Sequence, residues 1–121
     1  MLILAIAFAI CLGTAYWLDS AEQLEVTAQA FMASVGISLF AAALFFWVGR
    51  AHTKKFFRKE ALCTIGLAWL LASFIGALPF VMVLPYATWA DAIFESSSGL
   101  TTTGASVFTD LESFPPSLMF W

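Results

Sequence analysis

The chain has 121 residues, of which 62% are hydrophobic and only 11% are charged, and its formal net charge is −3. Because soluble domains carry about 25% charged residues, this composition excludes an ordinary soluble globular domain. The apolar residues are concentrated in three runs without any charge, at 1–18, 26–49 and 61–90. A membrane span needs about 20 predominantly apolar residues. The sequence therefore predicts an all-α integral membrane protein that crosses the bilayer with three transmembrane helices.

The first run could also be read as a cleaved signal peptide, which needs a cationic N-terminal region and small residues at the cleavage site. No Lys or Arg precedes Asp19, and Ile10 is too large beside Cys11 for a lipoprotein cleavage site. These features favour a helix that is retained. Cys11 and Cys63 both lie inside apolar runs, which favours small core residues over a disulfide or a metal pair.

The cationic residues predict the orientation of the chain in the membrane. All of them lie between the second and third runs: Arg50, Lys54, Lys55, Arg58 and Lys59. Short loops rich in Lys and Arg stay in the cytoplasm. Loop 50–60 and the N-terminus are therefore predicted to be inside, and loop 19–25 outside. Binding of anionic lipid or of a partner is the alternative role of the basic loop, and its His52 is assigned no role.

The third run is predicted to span the membrane at 61–84 and to be followed by a short helix. Thr88 and Asp91 have the spacing of a capping box, in which a hydroxyl residue precedes a carboxylate by three positions. The short helix is predicted at 89–98, with Gly99 ending it. Ten residues of α-helix are about 15 Å long, half the thickness of a bilayer core. Such a helix enters the membrane without crossing it.

The uncharged stretch SSSGLTTTGAS, residues 96–106, follows this half-length helix. Non-helical backbone at membrane depth must be buried in protein or line a wet cavity. Its carbonyl oxygens can replace the hydration shell of an alkali cation, and Gly104 can adopt backbone conformations closed to other residues. A phosphate-binding loop is disfavoured, because Ala105 stands where that motif requires Lys. A plain Ser/Thr turn without a ligand remains open on the pattern alone.

DAIFESSSGLTTTGAS (91–106), preceded by FIGALPF (74–80) and followed by LESFPPSLMFW (111–121), closely resembles the first pore loop of the TrkH/TrkG/KtrB potassium-transporter family. The resemblance implies two regions. Residues 1–60 form two N-terminal transmembrane helices with the basic cytoplasmic loop. Residues 61–121 belong to the first of four helix–pore-loop–helix units that surround one pore, with its pore helix at 89–98 and its filter at 101–104.

The resemblance also implies the site and its partners. The selectivity filter is Thr101, Thr102, Thr103 and Gly104, and the carbonyls of Thr102 and Thr103 hold K⁺, the transported ion. No covalent cofactor, enzymatic reaction or nucleic acid is expected. The expected partners are the lipid bilayer, a cytoplasmic nucleotide-binding regulatory subunit and, in the full-length form, a second copy of the protein. The expected location is the plasma (inner) membrane of a bacterium or archaeon, with the N-terminus in the cytoplasm.

The chain departs from the family in carrying one filter segment where a full member has four, and it shows no internal repeat. Pro115 and Pro116 suit the first turn of a further helix, yet the sequence stops at Trp121. We therefore expect an N-terminal fragment that does not transport by itself. The alternative is a small non-conducting membrane protein that associates with other membrane subunits through its apolar faces.

Two further residues near the filter have predicted roles. Glu95 either tunes the electrostatics of the cation or pairs with Ser and backbone N–H groups to hold the pore helix. The second role is favoured, because a carboxylate on a half-membrane helix points into the protein. Replacement of Ser106, two residues beyond Gly104, is expected to have a much smaller effect than replacement of the glycine.

Overall fold

The computed structural model describes residues 1–50, 58–109 and 111–121, except for the side chain of Ser113. These residues form five α-helices and a short 3-10 turn at Leu111–Ser113. The helices are α1 (Leu2–Leu18), α2 (Ala21–Gly49), α3 (Arg58–Val83), α4 (Trp89–Leu100) and α5 (Pro116–Phe120). The described part of the chain contains no strand, in agreement with the predicted all-α class. His52, Lys54 and Lys55 lie outside the described residues.

Two of the helices, α2 with 29 residues and α3 with 26 residues, are long and apolar enough to cross a membrane. At a rise of 1.5 Å per residue they are about 40 Å long, more than the 30 Å of a hydrocarbon core. The apolar α1 has 17 residues, which is at the lower limit for a span. The two longer helices support a membrane protein, while the third span stays a prediction.

Helices α1 and α2 form a helical hairpin, joined by the two residues Asp19 and Ser20. Their facing sides carry small residues and two phenylalanines, Phe8 and Phe31, whose ring centroids are 6.4 Å apart. Small residues at a helix interface allow the two backbones to approach closely. The buried residues are Leu4, Ala5, Phe8, Cys11 and Ala15 on α1, and Thr27, Ala28, Ala30, Phe31, Ser34 and Ser38 on α2. Cys11 is buried there and Cys63 is exposed, and both thiols are free.

The buried core lies at one end of the long helices. On α3 it begins at Ser73 and includes Pro79, through which the helix continues to Val83. Residues 58–71 of α3 and 39–50 of α2 are exposed or half-buried. The core therefore joins α1, residues 27–38 of α2 and residues 73–83 of α3 to the short helices α4 and α5.

Helix α4 begins as the sequence predicts. The Thr88 hydroxyl accepts a hydrogen bond from the N–H of Asp91 at 3.2 Å, and the Asp91 carboxylate accepts one from the N–H of Thr88 at 3.1 Å. The predicted end of the helix was wrong, because α4 continues through Gly99 to Leu100 and Thr101 is its C-cap. Helix α5 has Pro116 in its first turn, as predicted.

Candidate functional site

The chain leaves α4 by folding three N–H groups back onto the last turn of the helix. The donors and acceptors are Thr101 N to Ser97 O at 3.0 Å, Thr102 N to Gly99 O at 3.0 Å, and Thr103 N to Ser98 O at 2.9 Å. Residues 101–107 are all exposed. Within the described residues, the carbonyl oxygens of residues 101–104 accept no hydrogen bond. The N–H groups of Thr101, Thr102 and Thr103 are therefore bonded within the segment, and the carbonyl oxygens of residues 101–104 are open to a ligand.

Two residues of this loop have left-handed backbone conformations, Thr102 with φ of 56° and Gly104 with φ of 72°. Glycine adopts this region without a steric penalty, so the predicted special conformation of Gly104 is confirmed. Thr102 is β-branched, and a non-glycine residue in this region costs on the order of 1–3 kcal/mol. The sequence analysis named Thr102 as a filter residue but missed its positive φ, because threonine does not indicate this conformation. Its conformation follows from the two backbone hydrogen bonds on either side, at Thr101 and Thr103.

Hydroxyl groups fix the shape of the loop. The Thr101 hydroxyl donates to the Ser97 carbonyl at 2.7 Å, and the Thr101 and Thr103 hydroxyl oxygens are 2.9 Å apart. The Ser98 hydroxyl donates to the carbonyl of Ala105 at 2.6 Å. The Ala105 carbonyl is therefore occupied, and the run of open carbonyls ends at Gly104.

Glu95 holds the outgoing limb of the loop. Its Oε2 atom accepts hydrogen bonds from the hydroxyl of Ser106 at 3.0 Å and from the N–H of Val107 at 3.2 Å. The Ser106 hydroxyl also accepts the N–H of Phe108 at 3.1 Å. Glu95 thus pairs with a serine and a backbone N–H, the arrangement that the sequence analysis favoured. The expectation of a small effect at Ser106 overlooked these contacts.

Glu95 and Ser98 lie three positions apart on α4, so they share one face of the helix. Each holds a different point of the returning chain, Ser106–Val107 and Ala105 respectively. Behind the loop lies a cavity of about 290 Å³. Its polar side includes Glu95, Ser98 and Ser106, and its apolar side is lined by Phe80, Leu111, Phe114, Leu118, Met119 and Trp121.

Close contact between α3 and α4 sets the position of the loop. A Cβ atom added at Gly76 of α3 would collide with the hydroxyl of Ser96 and would lie 3.2 Å from the Trp121 ring. The indole N–H of Trp121 donates to the Gly76 carbonyl at 3.0 Å. Ser96 is buried, and its hydroxyl has no hydrogen-bond partner in the described part of the chain. Gly76 is therefore the point where three elements meet.

The charged and metal-binding groups of the region are few. Hydrogen bonds from the Thr88 hydroxyl and, to a smaller extent, from the Thr88 N–H stabilise the ionised Asp91 carboxylate. They lower the pKa of this exposed group below its ordinary value. Among the described residues, no three His, Cys, Asp or Glu side chains are grouped to hold a metal ion. The oxygen atoms offered by the loop are those of its backbone and hydroxyl groups.

Apolar helices of spanning length and an all-helical core define the class: the chain is an all-α membrane protein. Comparisons with known proteins refine this assignment. The chain is 34% identical to the Trk system potassium uptake protein TrkH of Escherichia coli over 94 residues, which are 77% of the chain and 20% of that protein. It is 32% identical to the protein TrkI of Halomonas elongata, also a Trk system potassium uptake protein, over 97 residues, 80% of the chain and 20% of that protein.

A third relative is an uncharacterized cation transporter of Methanocaldococcus jannaschii, 47% identical over 55 residues, which are 46% of the chain and 12% of that protein. No family model and no solved structure matches the chain. The chain belongs to the family of Trk potassium uptake proteins, as the resemblance in its pore-loop motif indicated. It spans about a fifth of the length of the Trk relatives.

Proposed function

We propose that this chain supplies one segment of a filter through which a Trk-type system carries K⁺ across a membrane. The observation that carries the proposal is the run of four open carbonyl groups at Thr101–Gly104, directly after the end of α4. The relatives, which are named as potassium uptake and cation transport proteins, support the choice of ion and the absence of an enzymatic reaction.

The proposed mechanism is the replacement of water by backbone oxygen. A cation that leaves bulk water loses its hydration shell, and carbonyl dipoles compensate for that loss. The left-handed residues Thr102 and Gly104 lie on either side of Thr103 in the chain. The C-terminus of α4 contributes a partial negative charge at the same place. In this proposal the carbonyls of Thr102 and Thr103 are the K⁺ ligands, and no covalent bond forms or breaks.

One segment supplies a quarter of a fourfold coordination ring, so the proposed filter needs three further segments. The 121-residue chain by itself is accordingly proposed not to transport. The surrounding arrangement is proposed on the family resemblance: a multi-pass protein of the plasma (inner) membrane with a cytoplasmic N-terminus, a nucleotide-binding regulatory subunit and a second copy of the full-length protein. The alternative function, that of a non-conducting accessory protein, does not account for the open carbonyls of residues 101–104.

A matched pair of glycine replacements tests the filter. Gly99 and Gly104 both have open space where a Cβ would lie, but only Gly104 has a positive φ. Gly104→Ala therefore strains the loop, whereas Gly99→Ala adds the same methyl group to a helical residue. Strain on the order of 1–3 kcal/mol corresponds to roughly five- to 150-fold in an equilibrium constant. In a full-length protein carrying this segment, Gly104→Ala is expected to lower the preference for K⁺ over Na⁺ at least about tenfold.

The measurement is uptake of rubidium, with sodium as competitor, at equal amounts of inserted protein. Gly99→Ala is expected to retain the parental affinity and ion preference. Unchanged affinity and preference in Gly104→Ala would show that the loop is not the filter, and the plain Ser/Thr turn would be the correct interpretation.

A further inference from the structure

Asp19 lies outside the filter loop, at the end of α1, yet it contacts the first turn of α5. Its Oδ1 atom accepts the N–H of Ser117 at 3.0 Å, and its Oδ2 atom accepts the Ser117 hydroxyl at 2.5 Å. The hydroxyl of Thr27 on α2 also donates to Oδ2, at 2.8 Å. Thr27 and Ser117 are fully buried. One carboxylate therefore connects α1, α2 and α5, across 98 positions of the sequence.

The first turn of α5 leads directly to the cavity behind the filter loop. Leu118 and Trp121 follow Ser117 and line that cavity together with Gly104 and Ser106. Trp121 is itself held from two sides: its ring centroid lies 4.4 Å from that of Phe8 on α1, and its indole N–H donates to α3. Displacement of Ser117 would therefore move the apolar residues that support the loop from behind.

The next acidic residue along the chain, Glu22 in the first turn of α2, has no such set of donors around it. Glu22, three positions further along, is exposed and makes no hydrogen bond within the described residues. The three donors around Asp19 occupy both of its oxygen atoms, so this carboxylate is committed to the protein and not to a passing cation. Hydrogen bonds to a charged acceptor are shorter and stronger than neutral ones, which suits a group that fixes a position.

We propose that Asp19 is a positioning residue for ion selection: it fixes the start of α5 and, through Leu118 and Trp121, the rear support of the filter loop. The α1–α2 hairpin is then a working part of the pore unit and not an independent membrane anchor. This inference rests on the proposed transport function, and the experiment separates the two.

Three variants of a full-length protein carrying this segment test the proposal: Asp19→Asn, Ser117→Ala and, as control, Glu22→Gln. Rubidium uptake with sodium competition gives the KM and the ion preference at equal amounts of inserted protein. Asp19→Asn is expected to lower the K⁺ over Na⁺ preference about three- to tenfold. Ser117→Ala, which removes one of the three donors, is expected to have a smaller effect in the same direction. Glu22→Gln is expected to leave both quantities unchanged.

The double variant Asp19→Asn/Ser117→Ala is expected to be no worse than Asp19→Asn alone, because the two residues act through one contact. If Asp19→Asn fails to insert, the ion preference of Ser117→Ala decides the matter. A changed melting temperature with unchanged KM and preference would overturn the positioning role and leave a structural contact. If Gly104→Ala alters the preference and neither Asp19→Asn nor Ser117→Ala does, the filter stands and this inference is wrong. If Gly104→Ala has no effect, the filter itself is wrong.

Discussion

The α1–α2 hairpin and the segment from α4 to α5 are held together in different ways. In the hairpin, apolar and small residues pack face to face, and a buried hydroxyl such as that of Ser34 bonds a carbonyl of its own helix, Ala30 O, at 2.8 Å. In the loop segment, side chains of α4 bond a different part of the chain, as Ser98 does with Ala105 and Glu95 with Ser106.

This difference separates two kinds of stability. Packing is non-directional, so it tolerates changes that conserve volume. Hydrogen bonds fix distances and angles, and one to a charged group contributes about 1.5–3 kcal/mol. The packed faces of the hairpin therefore support insertion and compactness, while the hydrogen bonds of the loop segment and of Asp19 fix where individual atoms lie. Substitutions in the packed faces of the hairpin and in the loop segment should therefore have different effects on ion selection and similar effects on the amount of protein made.

The largest expected effect in this comparison comes from Glu95. Glu95→Ala leaves the Ser106 hydroxyl and the Val107 N–H without their acceptor, so the outgoing limb should shift. Rubidium uptake and K⁺ preference should both fall sharply, with insertion retained. Glu95→Gln keeps an oxygen acceptor but loses the charge, and neutral hydrogen bonds contribute about 0.5–1.5 kcal/mol, so its defect should be intermediate. Equal activity of Glu95→Ala and the parent would contradict a positioning role for this carboxylate.

An intermediate effect is expected where α3 contacts the loop segment, at the contact of Gly76 with Ser96 and Trp121. Gly76→Ala forces these neighbours apart, and overpacking of a core costs about 1–3 kcal/mol. The melting temperature in detergent should fall, and ion preference should weaken. Gly66→Ala is the matched control, because it adds the same methyl group to the same helix in open space. Similar melting temperatures for the two variants would show that the close contact is not required.

The smallest expected effect compares one chemical change in both regions. The Ser38 hydroxyl on α2 is buried and has no partner in the described part of the chain, so Ser38→Ala should keep or slightly raise stability, since a buried unpaired group costs about 1–3 kcal/mol. Ser98→Ala frees the Ala105 carbonyl and should alter ion preference with little change in melting temperature. A destabilised Ser38→Ala, or an Ser98→Ala variant with parental selectivity, would remove the distinction between the regions.

Local motifs in the sequence predicted what local chemistry decides. The capping box at Thr88 and Asp91, the proline at the start of α5 and the special backbone at Gly104 each depend on a few neighbouring residues. Apolar runs likewise predict helices, because a segment that crosses the hydrocarbon core needs about 20 predominantly apolar residues. The position of Glu95 and Ser98 on one face of α4 could also have been predicted, because they are three residues apart.

Backbone hydrogen bonds and long-range contacts decided what the sequence could not show. Helix α4 ends at Leu100 and not before Gly99, and the N–H groups of Thr102 and Thr103 bond back to its last turn. The positive φ of Thr102 could not be predicted, because no residue preference indicates it at a threonine. The contact of Asp19 with Ser117 joins residues 98 positions apart. One signal for this contact was available in the sequence. Ser117 directly follows two prolines at the start of α5, and the N–H of a first-turn residue needs an acceptor from outside the helix.

The hydrogen bond from Ser98 to Ala105 has a consequence for the number of ions in transit. Because it occupies the Ala105 carbonyl, the run of open carbonyls at residues 101–104 ends at Gly104 in the part of the chain that the structure describes. Four residues extend to at most about 14 Å, which leaves space for a short single file. Under the proposed function, a filter of this length holds few ions at one time, and their mutual repulsion opposes the entry of a further ion.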